Sequence, residues 1–116
     1  MKYIVAIIRP EKLEAVQNAL DAKEIHLMTV SNVYGCGSQR GYTEQFRGGQ
    51  IPIRLLPKVK LEIAVNENFL EPAISAIKRA ARSEPGKIGD GKIFVMPMDA
   101  CYRIRTGEEG SVAIGP

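Results

Sequence analysis

Histidine and cysteine are scarce in this chain, and tryptophan is absent. Among 116 residues there is one histidine, His26, and two cysteines, Cys36 and Cys101. The cysteines form no CxxC pair, and one histidine cannot complete a zinc-ligand set. No Ser-His-Asp or Cys-His group can be assembled, and Glu108-Glu109 reads as a solvated acidic pair rather than a catalytic one. His26 reads as a loop or strand-entry residue, and the four methionines read as core filler. Long apolar runs are also missing: the longest are five or six residues, far below the ~20 that a membrane-spanning helix needs. The opening Met1-Lys2-Tyr3 leads straight into a strand-like run with no apolar signal region, so a cytoplasmic location and reduced thiols are expected.

What is present is an ordinary globular composition, 45% hydrophobic and 25% charged. The length suits one domain, 1–116, with a modest core. Residues 2–9 (KYIVAIIR) read as a buried strand ended by Pro10. Glu11–Lys23 has Leu13, Val16, Ala19 and Leu20 at helical spacing, and Met28–Val33 alternates as a half-buried strand does. Gly35–Leu56 then breaks the pattern with five glycines and a proline; such a stretch inside a compact domain is usually functional or disordered. Val59–Val65 is strand-like, Phe69–Arg82 is an amphipathic helix, and Ile93–Met96 is a fourth strand. Tyr102–Thr106 is expected as a short edge strand, followed by a weakly ordered tail over about 107–116.

Strand, helix, strand, strand, helix, strand is an α+β, ferredoxin-like order. Helices then cover one sheet face, and a neighbouring subunit is the simplest cover for the other. Many functions use this fold. RNA reading by aromatics on the middle strands is disfavoured, because KYIVAIIR and VKLEIAV offer only Tyr3. The net charge of +3 is mild and its basic residues are scattered, which suits an anionic small ligand better than nucleic acid.

Three segments are suited to an anion. In Gly35–Gly41, glycines let backbone N–H groups approach phosphate oxygens; a plain turn explains the same residues. Gly86–Lys92 holds three glycines, two lysines and an aspartate, with neither Walker A nor dinucleotide spacing; a solvated connection is the alternative. Arg103 and Arg105 share one side if extended and could fork a phosphate chain, or protect a sheet edge by charge. Lys58, Lys60 and Glu62 share one strand face, where a surface ion pair is the bland reading.

Taken in order, GxGxQxGxTExxRG (Gly35–Gly48), LPKVKLEI (Leu56–Ile63), GKIGDGKIFV (Gly86–Val95) and RIRTGE (Arg103–Glu108) closely resemble the PII nitrogen-regulatory family. The likeness covers nearly the whole chain, with a two-residue expansion near Ser83–Pro85. The resemblance implies a homotrimer of ferredoxin-like subunits that binds ATP or ADP between subunits and signals without turning over a substrate. It assigns the nucleotide to Thr29, Gly35, Gly37, Ser38, Glu62, Gly89, Asp90, Gly91 and Lys92, with Arg103 and Arg105 reaching the phosphates. Gln39 would ligate an ATP-held Mg²⁺, and 2-oxoglutarate would meet Gln39, Arg40, Gly41 and Lys58. A loop over about 37–55, the T-loop, would be mobile when free and would dock on a partner through Tyr42, Phe46, Arg47 and Ile51. The partner would be an ammonium channel, another membrane transporter or a metabolic enzyme.

This chain departs from the family's pattern at two loop positions and in the loop's apolar distal half, GGQIPIRLL, which widens the range of partners beyond an ammonium channel. Ile51 stands where the family carries its uridylylated tyrosine, so that modification has no acceptor there. Ser38 stands where a basic residue is usual, which removes one phosphate-directed charge. Two other readings are a metal-responsive, metal-tolerance-type trimer using Cys36 and a slow ATP hydrolase, for which no general base is evident.

Overall fold

β1 (Lys2–Ile8) and β3 (Leu56–Val65) form the centre of the fold because both alternate strictly. Ile4, Ala6 and Ile8 of β1 and Val59, Leu61, Ile63 and Val65 of β3 are buried, with less buried residues between them. A period of two sends every second side chain to one sheet face. The computed structural model describes residues 1–36 and 54–115. Within them, β2 is Thr29–Gly35 and β4 is Gly91–Pro97, and the sheet order is β2-β3-β1-β4 with every neighbour antiparallel. The expected ferredoxin-like α+β architecture is therefore what the chain adopts.

Both long helices cover the same face. A 3₁₀ turn at Pro10–Lys12 leads into α1 (Leu13–Asp21), which buries Val16 and Leu20. α2 (Glu67–Ala81) buries Ala73, Ala76, Ile77 and Ala81. These residues join those of β1 and β3 in one core. Proline in the first turn suits the short helical entry, since its missing N–H has no partner there anyway. Among the described residues, no helix covers the opposite sheet face. Tyr3, Val5 and Ile7 of β1 face it beside Met96, Phe94 and Lys92 of β4, and Phe94 and Met96 are exposed.

Three stretches differ from the sequence reading. β3 begins three residues before the expected Val59, at Leu56. Its Pro57 pairs with Tyr34 beyond the last β1–β3 pair, Ile8–Val59. With only one neighbour at that point, β3 tolerates a residue that lacks a ladder donor. The expected C-terminal strand at Tyr102–Thr106 is reduced to one antiparallel bridge, Tyr102 to Glu109. The chain turns there because Arg103 N–H donates to Glu108 O and Gly107 N–H to Arg103 O, both at 2.8 Å. The tail expected to be weakly ordered carries a one-turn helix, α3 (Ser111–Ile114), whose Ile114 is buried.

β4 starts where only glycine fits. Gly91 has φ of 114°, and a Cβ there would lie 1.8 Å from the carbonyl oxygen of Ile7. Gly91→Ala must therefore push β4 off the end of β1. The expected result is a loss of about 3 kcal/mol or more of stability, read by chemical denaturation.

Candidate functional site

The C-terminal ends of β1 and β2 and the N-terminal ends of β3 and β4 share one rim of the sheet. There the strands and the 86–91 turn enclose a cleft of about 450 Å³, within the usual size range of small-molecule sites. Ile7, Leu56, Ile88 and Phe94 supply apolar walls; Lys58 and Lys92 supply charge; Gly35, Gly89 and Gly91 supply bare backbone. Lys58 Nζ donates to Gly89 O at 2.9 Å and so ties β3 to the turn. Lys92 is exposed, and its side chain makes no ion pair or hydrogen bond with another described residue. A half-apolar cleft with two ammonium groups and exposed glycine backbone can hold a flat ring and an anionic chain together.

Asp90 gives the glycine turn its shape. Its Oδ1 accepts from Arg9 Nε at 3.0 Å and from Ser83 Oγ at 2.7 Å. Its Oδ2 accepts from the backbone N–H groups of Ser83 and Lys87, both at 3.0 Å. Arg9 Nη2 also donates to Ile88 O at 2.9 Å. The Lys87 N–H holds the Asp90 carboxyl well below the ordinary carboxylate range; Ser83 and Arg9 add to that, and partial burial opposes it. Asp90 thus turns inward and organises the cleft wall rather than facing the cleft.

The remaining candidates lie elsewhere. Thr29 and Glu62 are cross-strand partners, six residues along β2 from Gly35, or roughly 20 Å of extended chain. The Tyr3 hydroxyl donates to Glu62 Oε2, which raises the Tyr3 pKa, with burial and the negative charge of Glu62 adding to the effect. Lys60 Nζ lies 3.9 Å from Glu62 Oε1. The C-terminal segment is anchored at this far end too, since Asn66 Nδ2 donates to Ser111 O and Gly115 O at 3.2 and 3.0 Å. Arg103 and Arg105 belong to that segment and are not among the cleft residues. Gly37, Ser38, Gln39, Arg40, Gly41, Tyr42, Phe46, Arg47 and Ile51 lie outside the described residues.

The sequence reading missed Arg9 and Ser83. Arg9 had a usable signal. If β1 pairs with β4 so that Ile8 meets Gly91, one further step sets Arg9 against Asp90. Ser83 had none, because its partner is brought back by the turn itself. Cys36 lines the cleft beside Lys58 and Lys92, a cationic setting that does not suit a metal ion. Among the described residues, no three His, Cys, Asp or Glu side chains form a metal-holding group.

An asparagine at position 90 has one acceptor oxygen, so its NH₂ must face either the Arg9 Nε–H or the two backbone N–H groups of Ser83 and Lys87. Asp90→Asn is therefore expected to cost about 2 kcal/mol at neutral pH. Because the folded-state pKa is depressed, this stabilisation is complete above the unfolded value and is lost as pH falls through the folded one. The stability difference between wild type and Asp90→Asn, from urea titrations, should be full at pH 7 and shrink below about pH 4.

The chain resembles known proteins along almost its entire length. Residues 1–108 match the family model for nitrogen regulatory protein P-II. Nitrogen regulatory protein GlnK1 of Methanosarcina mazei is 51% identical over 114 residues, covering 98% of this chain and 97% of that one. Nitrogen regulatory protein P-II 2 of Methanothermobacter thermautotrophicus is 53% identical over 114 residues, with the same coverage. Nitrogen regulatory protein P-II of Azospirillum brasilense is 48% identical over 114 residues, covering 98% of this chain and all of that one. The chain belongs to the P-II family of nitrogen regulatory proteins.

Proposed function

We propose that this protein is a homotrimeric signal-transduction regulator that binds ATP or ADP at its subunit boundaries. It would respond to 2-oxoglutarate and act on a partner through the loop between β2 and β3. The observation that carries this reading is the two-ended distribution of the candidate residues. Gly35, Lys58, Gly89, Gly91 and Lys92 meet at one rim of the sheet, while Thr29, Glu62, Arg103 and Arg105 lie away from it. One subunit cannot close both sets around a single ligand. A second copy, packed through the helix-free sheet face with its exposed Phe94 and Met96, can bring the far set of one subunit to the cleft of the next.

The chemistry suits that ligand. The apolar walls fit a purine, and Lys92 with the bare glycine backbone fits a polyphosphate. When bound with ATP, Mg²⁺ would supply charge neutralisation of the phosphates, and Gln39 is the residue assigned to it. Lys58, now on Gly89 O, is the residue assigned to a 2-oxoglutarate carboxylate. The protein's role is that of a regulator and not an enzyme: a ligand changes the partner-facing loop only by binding its two conformations with different affinities. The partner would be an ammonium channel, another membrane transporter or a metabolic enzyme. No described helix is long and apolar enough to cross a membrane.

Calorimetry with ATP, with and without Mg²⁺ and 2-oxoglutarate, tests the reading. Wild type should bind nucleotide, and Lys92→Ala should weaken it at least about tenfold, as loss of one charge-assisted hydrogen bond does. Analytical ultracentrifugation should find trimers. An absence of binding at millimolar ATP, or single subunits only, ends the proposal.

A further inference from the structure

Arg103 and Arg105 share a short segment but are in different situations. Arg105 is exposed, and its side chain makes no hydrogen bond or ion pair with another described residue. Arg103 has both terminal nitrogens engaged: Nη1 donates to Glu108 Oε1 at 2.7 Å, and Nη2 donates to Val112 O at 3.1 Å and, weakly, to Ala113 O at 3.5 Å. A guanidinium grips a phosphate through paired N–H groups on one edge. Both paired edges, Nη1/Nη2 and Nε/Nη2, use Nη2, which already donates to two α3 carbonyls. The Glu108 carboxylate beside Nη1 would also repel a phosphate. Arg103 can hold the tail or fork a phosphate, but not both.

The tail itself is weakly founded. α3 is a single turn, too short to persist without tertiary contacts. It is held by Arg103 on one side, by Asn66 on the other and by the buried Ile114. Asn66 Oδ1 is buried without a hydrogen-bond partner among the described residues, which favours opening. We propose that residues 108–115 form a latch that competes with the nucleotide polyphosphate for Arg103, so that nucleotide binding frees α3 and α3 docking weakens nucleotide binding. This rests on the reading above that Arg103 faces the phosphates. Arg105, already unengaged, then makes the first contact, and Arg103 joins after the latch opens. Coupling of this kind is reciprocal: whatever loosens the tail must tighten the nucleotide by the same factor.

The test is amide hydrogen exchange of residues 111–115 in the full chain, with and without saturating Mg·ATP, beside calorimetry of wild type and Asn66→Ala. Exchange at 111–115 should rise about fivefold or more when ATP binds, and Asn66→Ala should bind ATP about fivefold more tightly. If ATP binds while exchange at 111–115 stays level or slows, the latch is overturned and the nucleotide reading stands. Weaker ATP binding by a folded Asn66→Ala overturns it as well, because the tail would then be positioning Arg103. If wild type binds no ATP, both the nucleotide reading and the latch fall. Should Asn66→Ala not fold, the wild-type exchange measurement decides alone.

Discussion

Four donors converge on the carboxylate of Asp90, and the shape of the cleft depends on them. Glycine is the residue least able to hold a fixed backbone, since it loses the most conformational freedom on folding. A turn with glycines at 86, 89 and 91 would sample many shapes if nothing restrained it. Arg9 from the end of β1, Ser83 from the end of α2 and the Lys87 N–H all bind one side chain. Three of the four donors come from outside the turn, from Arg9 and Ser83, so the glycine backbone stays bare toward the cleft. A ligand can then approach the main chain closely without ordering it first.

The strand period sets a second constraint. β1 and β3 each give one face to the core and the other to open sheet. Lys58, Lys60 and Glu62 share the open face because Val59, Leu61 and Ile63 are needed beneath the helices. Charge and exposed apolar groups therefore lie on one surface, with Phe94 and Met96 at one side of it. On the proposed reading, that open face is the surface a second copy covers.

Most of the fold was legible in the sequence, because its elements rest on local periodicity. β1, α1, β2, α2 and β4 fall within a few residues of their expected ranges. Local pattern failed where distant partners decide the conformation. The sequence could not show that β1 stops short of Pro57, where β3 runs on with a single neighbour. RIRTG has strand-like alternation, yet Arg103 turns back to Glu108 and the carbonyls of α3. The tail GEEGSVAIGP has almost no helical signal; Asn66, 45 residues from Ser111 in sequence, holds it. In the site, Gly35, Lys58, Gly89, Gly91 and Lys92 meet at the rim while Thr29 and Glu62 lie along the strands away from it, and side-chain direction was not readable from the sequence. Asp90 stood out among glycines, but nothing local revealed that its carboxylate faces Arg9 and Ser83.

The two arginines bring these strands of reasoning together. Their spacing made them look equivalent, a matched pair on one side of a strand. The turn at Gly107 removes that equivalence by placing the guanidinium of one against the tail and leaving the other in solvent. A site built from two equally free arginines would bind a phosphate chain tightly and respond to little else. A site in which one arginine must first give up three oxygens binds more weakly, by the free energy of that exchange, and binds in steps. On the proposed reading this is an advantage. A regulator has to register changes in ligand level, and its affinity must therefore stay near the concentrations it senses rather than far below them.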